Sequence, residues 1–264
     1  RQAAQHSIGQ PSWPGGGQQR LVGGAMVAGG RPGHKVARRR QRGLDIRFAD
    51  GLAGVVPFVR MVAVTGTLAV NNVDAADDID LFIVTRPGRL WLCRALVVLL
   101  VRLAALAGDE LCPNYFLSEQ HLAFDDHTLF TAREVTQMVP LYGADVYWRI
   151  RQLNPWVANY LPQAGDQPQP NHHRGHRSQT WIEPGPLERA VKRTAEALLG
   201  GALGAQLERW EMQRKVLRFH AIAQSRGGSV AFTADCCKGH FDHHDQRILR
   251  EFEAGLAHRG LHNP

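Results

Sequence analysis

The sequence predicts an α/β fold, with a disordered basic head before the central unit and a helical extension after it. Three observations carry that prediction. Phe58–Thr65 and Asp78–Thr85 are short, apolar and rich in β-branched residues, the pattern of buried strands. A long apolar segment, Arg89–Ala107, lies between the second of these runs and a third strand-like run, Leu111–Ser118. Turn residues punctuate the series: Gly66, then Arg86-Pro87-Gly88, then Gly108-Asp109. Strand, short helix, strand, long helix, strand is the order of a compact α/β unit.

Each element has its own reason. Residues 1–34 are rich in Gly, Gln and Pro, too polar to offset their ordering entropy, and read as disordered. The basic run HKVARRRQRG follows, and residues 45–55 show helical spacing up to Pro57. After Gly66, Leu68–Val73 fits one or two helical turns. In Leu90–Ala107, Arg94 and Arg102 stand eight positions apart on one side of a helix, which reads as a mostly buried helix with one wet edge. Thr128–Met138 and Ala144–Leu153 read as helices split by Pro140 and Gly143. Residues 163–186 form a polar, Pro-rich linker or long loop. Pro186–Gln224 is helical, divided at Gly200-Gly201, with Glu188/Lys192 and Glu211/Lys215 at supportive spacing. Ser229–Phe232 is a short piece, DCCKGHFDHH reads as a turn, and a last helix spans about His244 to His258. The expected organisation is a head (1–43), a core domain (44–162), the linker (163–186) and the extension (187–264).

Charge narrows the function classes. The net charge of +7 divides into +7 over residues 1–56, −3 over 57–162 and +3 over 163–264. The basic head suits nonspecific contact with polyanions, while the mildly acidic centre is no reader of nucleic acid. Four cysteines, two of them adjacent, make no disulfide framework and favour a reducing, cytoplasmic setting. The chain opens on Arg1 rather than Met, as a fragment would, and no secretory leader opens it. The charges within Leu90–Ala107 argue against a membrane span, so the chain is not expected to be a membrane protein.

The chemistry concentrates at VAVTGTLAVNNVDAADDIDLFIVT, Val62 to Thr85. Strand alternation puts Asp78 and Asp80 on one side. Two adjacent carboxylates repel unless a cation lies between them, and Mg²⁺ takes such oxygen ligands together with substrate phosphates. Gly66 lets the backbone approach a phosphate and Thr67 adds a hydroxyl donor. Acids for a metal beside a glycine-hydroxyl turn suit phosphoryl or nucleotidyl transfer.

Thr65-Gly66-Thr67, ten residues, then Asp78-Ile79-Asp80-Leu81 resembles the motif of nucleotidyltransferases of the DNA polymerase β type. The resemblance covers about residues 58–120. Further runs, CPNYFLSE and LFTAREVTQMVPLYG, look like bacterial nucleotidyltransferase-like proteins of no implied substrate. The resemblance implies an α+β core with a mixed sheet, an NTP held at Gly66 and Thr67, and Mg²⁺ bound by Asp78 and Asp80. It also implies a third, base-like acid on the next strand. There the sequence reads LCPNYFLSE, with Asn114 or, at the strand's end, Glu119 as the occupant. The reaction implied is transfer of a nucleoside monophosphate to a hydroxyl acceptor, with a degenerate nucleotide-binding or interaction module as the alternative. The acceptor and the base preference are not legible.

Other residues read as structural. Cys236, Cys237, His240, His243 and His244 lack zinc-ligand spacing. His172, His173 and His176 lie in the polar loop. Glu134 either faces the site or solubilises its helix. Trp148, Trp156 and Tyr160 pack where a helix ends, and Met138 and Leu141 are core.

Overall fold

Alternate residues of the central strands fall into two apolar sets, so the sheet has to be covered on both faces. The computed structural model describes residues 19–22, 25–28, 49–70, 79–105, 111–164, 181–226 and 228–241, together with Arg250, Ala254 and His258. Strands β1 (Gln19–Val22) and β2 (Ala25–Ala28) pair antiparallel as a separate ribbon within the head. The rest of the predicted disordered head lies outside the described residues.

Helix α1 (residues 49–55) leads through Pro57 to β3 (Val59–Val64). Next come the one-turn α2 (Gly66–Ala69), β4 (Ile79–Thr85), α3 (Leu90–Ala105) and β5 (Leu111–Ser118). Then follow α4 (Leu129–Gln137), β6 (Val139–Tyr142), α5 (Ala144–Leu153) and the short α6 (Val157–Tyr160). The C-terminal part supplies α7 (Pro186–Leu199), α8 (Ala202–Arg226), β7 (Gly228–Phe232) and β8 (Cys236–Phe241). Six strands make one mixed sheet in the order β6-β3-β4-β5-β8-β7. Within it β4 and β5 run parallel and the other neighbours antiparallel.

One face carries Val62, Val64, Leu81, Ile83, Phe116 and Cys237 under α1, α3 and the inner side of α8. The other carries Met61, Ala63, Phe82, Val84, Tyr115 and Cys236 under α4, α5 and α6. A bulge between Val59 and Met61 turns Val59 onto the first face beside Val62. Thr128 starts α4 by accepting from the Thr131 N–H. Buried Asn154, at the end of α5, accepts from Phe124 N (2.8 Å) and donates to the Leu122 carbonyl (2.8 Å). Trp156 donates to Asn154 (3.0 Å) and stacks on His127, the packing role the sequence suggests. Met138 and Leu141 are core.

Two expectations change. DCCKGHFDHH is not a turn: its Cys236–Phe241 part is a strand that pairs with β5 and β7. β7 and β8 of the extension therefore belong to the same sheet as the core strands. The last helix is described only at Arg250, Ala254 and His258, which are helical and exposed. The wet edge of α3 also differs. Arg102 is exposed, but Arg94 packs its guanidinium over Phe219, 4.9 Å from the ring centroid.

Helix ends bind the two parts together. The buried Glu208 carboxylate of α8 accepts from Trp91 N (2.9 Å) and Leu92 N (2.7 Å), two first-turn donors of α3. Arg89, just before α3, donates to the Leu199 (3.2 Å) and Gly200 (2.6 Å) carbonyls at the end of α7. Lys192 of α7 is buried and donates to the Ala53 (2.9 Å) and Val59 (2.8 Å) carbonyls. It does not pair with Glu188, which accepts from Gly185 N (2.7 Å), whereas Glu211 and Lys215 do approach to 4.0 Å.

Two outcomes follow for stability. Glu208→Ala leaves two buried N–H groups without an acceptor and should cost about 2–4 kcal/mol in urea denaturation. Burial holds the Glu208 carboxyl above its ordinary value, so neutral Glu208→Gln, which keeps one acceptor, should lose less than half as much. Unchanged stability in the alanine variant would remove the cap from this account. Burial also pulls the Lys192 ammonium down to about 8 from 10.5, with Glu196 partly opposing. Between those values the unfolded chain binds a proton that the folded chain has released. The Lys192 contribution to stability therefore rises with pH across this window, and the desolvation cost is carried in full below it. The stability difference between wild type and Lys192→Met should climb by on the order of 2–3 kcal/mol from pH 7 to 11. A flat difference would show that the ammonium is not desolvated.

Candidate functional site

The antiparallel pairing of β3 with β4 sets one end of the sheet. Val64 pairs with Leu81, and the Thr65 N–H donates to the Asp80 carbonyl at 3.0 Å. The chain leaving β3 is thereby delivered against the first residues of β4. There Gly66 turns it into α2 with φ of 67°. A side chain at Gly66 is excluded twice. The left-handed backbone disfavours L residues, and a Cβ would overlap Asp80 Oδ2 and lie 3.2 Å from its Cγ. Thr67 follows as the second residue of α2.

Asp80 is half-buried near the entry of β4, on the face that carries Phe82 and Val84 farther in. Gly66 and Asp80, picked out in the sequence fourteen residues apart, thus lie in contact. Asp78 is outside the described residues.

The third-strand position is where structure and sequence reading diverge. In the parallel β4–β5 ladder Asp80 pairs with Cys112 and Leu81 with Pro113, and Phe82 skips to Tyr115. Asn114 is the bulge residue between them, so the register partner of Asp80 is Cys112 and not Asn114. Pro113 was the signal for this: a proline cannot donate to a ladder and within a strand marks an edge or a bulge. Indeed β8 pairs with β5 only along Tyr115–Leu117.

Glu119 is not brought to Asp80 at all. Its N–H donates to the Thr85 carbonyl (2.9 Å), at the opposite end of β4, about 16 Å away at the rise of a parallel strand. Its carboxylate accepts from Arg149 (2.6 Å) and lies 3.8 Å from Arg60. It lines a cavity of about 770 Å³ there with Tyr142, Asp145 and Trp181. As a metal ligand beside Asp80, Glu119 is ruled out by this geometry.

Glu134 is half-buried in α4 and close enough to act on Tyr115. Burial first, then Cys236 and Glu134, raise the Tyr115 hydroxyl well above its usual range. Tyr115 packs edge-on to Phe82 with centroids 4.8 Å apart. This aromatic wall on the Asp80 face of the sheet was not read from the sequence.

Among the described residues no three His, Cys, Asp or Glu side chains gather as a metal-binding group. Cys236 and Cys237 are buried on opposite faces of the sheet, and burial raises the Cys236 thiol to about 11. They behave as small apolar residues. His172, His173, His176, His243 and His244 are outside the described residues. The carboxylate oxygens of Asp80 match the hard-oxygen preference of Mg²⁺, and they fill the space beside Gly66 that a side chain would take, with Gly66 itself exposed.

No family model, curated protein or solved structure matches the chain. No described helix is long and apolar enough to cross a membrane.

Substitution separates the two constraints on Gly66. Gly88 has the same backbone conformation, φ of 66°, but nothing within 4 Å of a Cβ. Gly88→Ala should cost about 1 kcal/mol for backbone strain alone. Gly66→Ala adds the collision with Asp80 and should cost about 2–4 kcal/mol in urea denaturation. Equal losses would show that the Asp80 carboxylate swings away freely.

Proposed function

We propose that the protein is a Mg²⁺-dependent nucleotidyltransferase that moves a nucleoside monophosphate from an NTP to a hydroxyl-bearing acceptor. The observation that carries this reading is the contact of Gly66 with Asp80 at the shared end of β3 and β4. Exposed Gly66 would present its backbone to the triphosphate, and Thr67 would add a hydroxyl donor. Asp80, with Asp78 at the preceding alternate position, would hold the ion. Bound Mg²⁺ supplies neutralisation of triphosphate charge and alignment of the reacting oxygens. The acceptor oxygen forms a bond to the α-phosphorus, the bond to the β,γ-diphosphate breaks, and pyrophosphate departs. The hydroxyl proton passes to solvent or to a base outside β5, since no Asp or Glu occurs from Leu111 to Ser118.

That same absence favours a second reading, a module of this fold that binds nucleotide without turnover. Asp80 has Cys112 as its partner on β5, and the nearest later acid, Glu119, is bonded to Arg149.

Calorimetry with MgATP and MgGTP, on wild type and on Asp78→Asn/Asp80→Asn, tests the site. Binding that requires Mg²⁺ and weakens at least about tenfold in the double variant is expected. Absence of binding in folded wild-type protein would overturn both readings. Binding without pyrophosphate release, across a panel of hydroxyl acceptors, would favour the second.

A further inference from the structure

Helix α8 is apolar on two sides, and the core uses only one. Met212, Val216 and Phe219 pack inward with buried Glu208 and Glu211. On the outside Leu203, Leu207, Trp210 and Leu217 are exposed by 59%, 37%, 60% and 75%. Their spacing of four, three and seven places them in one row. The helix has 25 residues, a rod of about 37 Å.

Charge says what covers this row. The two acids of α8 are both turned inward, Glu208 onto the first turn of α3 and Glu211 onto Arg214 and Lys215. Arg209, Arg214 and Arg218 are exposed, and Arg214 stands over the Trp210 ring at 4.9 Å. Glu211 neutralises Arg214, whereas Arg209 and Arg218 enter no ion pair with a described residue, so the exposed side joins large apolar groups to two free cations. A second copy of the helix would set these arginines against each other. Nucleic acid would satisfy the arginines and leave the leucines wet. A surface with anions above an apolar layer satisfies both, and tryptophan prefers that boundary.

We propose that the outer face of α8 docks on an anionic lipid bilayer, lying in the plane of the headgroups with Leu207, Trp210 and Leu217 entering the acyl boundary. This is peripheral attachment, not spanning, and it stands independently of the nucleotide reading.

Sedimentation of the full chain with phosphatidylcholine vesicles, with and without about 30 mol % phosphatidylserine, provides the test. Wild type is expected to bind the anionic vesicles at least about tenfold more tightly than the neutral ones. Leu207→Gln/Leu217→Gln, at positions outside the core, should lose at least about tenfold. Arg209→Gln/Arg218→Gln should lose a similar factor and restores a test if the first variant fails to fold. Blue-shifted fluorescence on binding should be largest in wild type and reduced in Trp210→Phe. Binding that survives both double variants would assign attachment to the basic head and overturn the proposal. So would tighter binding to polyuridylate than to vesicles, or a concentration-dependent dimer broken by the leucine variant.

Discussion

The buried carboxylate of Glu208 is the interaction on which the two halves of the chain depend. The first turn of α3 points its N–H groups into a region that α8 closes to water, and such groups unpaired cost more than most single contacts yield. Glu208 satisfies two of them from a helix more than a hundred residues later. Once α8 is held there, Trp91 lies at the junction and donates its indole N–H to the Thr233 carbonyl at 2.9 Å, in the connection between β7 and β8. Arg89 meanwhile takes up the carbonyls where α7 ends. The helices, the added strands and the start of α3 are therefore fixed by one small set of polar groups, each answering another's unsatisfied end.

The site inherits its geometry from the sheet and not from local loops. The β3–β4 register decides that the turn after Thr65 meets Asp80. The β4–β5 register decides which residue of the third strand stands beside it. The far end of the same strands holds a separate ionic cluster, in which Arg60 lies near both Glu119 and Glu196 at 3.8 Å. At one end a carboxylate meets a glycine turn, and at the other the acids lie beside arginines.

Much of this was legible because the signals were local. The bounds of Leu111–Ser118 and Ala144–Leu153 agree with the structure, and Gly200-Gly201 does divide two helices. The Gly66–Asp80 proximity was readable because β3 and β4 follow one another in sequence and pair antiparallel, which brings the end of one to the start of the next. The misses share a cause, which is long range. Glu188 and Lys192 have ideal spacing for a pair, yet Lys192 is drawn inward to carbonyls of residues 53 and 59 that no local pattern announces. Cys236-Cys237 looked like a turn, although it begins a strand that forms a hairpin with nearby β7 and pairs on its other side with β5, far away in sequence. The bulge at Asn114 was announced by Pro113, but its effect on register needs the neighbouring strand.

The pairing of β5 with β8 also has a consequence for how the molecule is made. Tyr115 pairs with Lys238, so this ladder cannot form until the chain as far as Lys238 has left the ribosome. Contacts of such sequence separation are slow to close, while β3, β4 and β5 meet early. Until then the nascent chain presents the Tyr115–Leu117 edge with its amide and carbonyl groups open to another strand. An open edge of that kind is a template for aggregation. β8 is the strand that covers it.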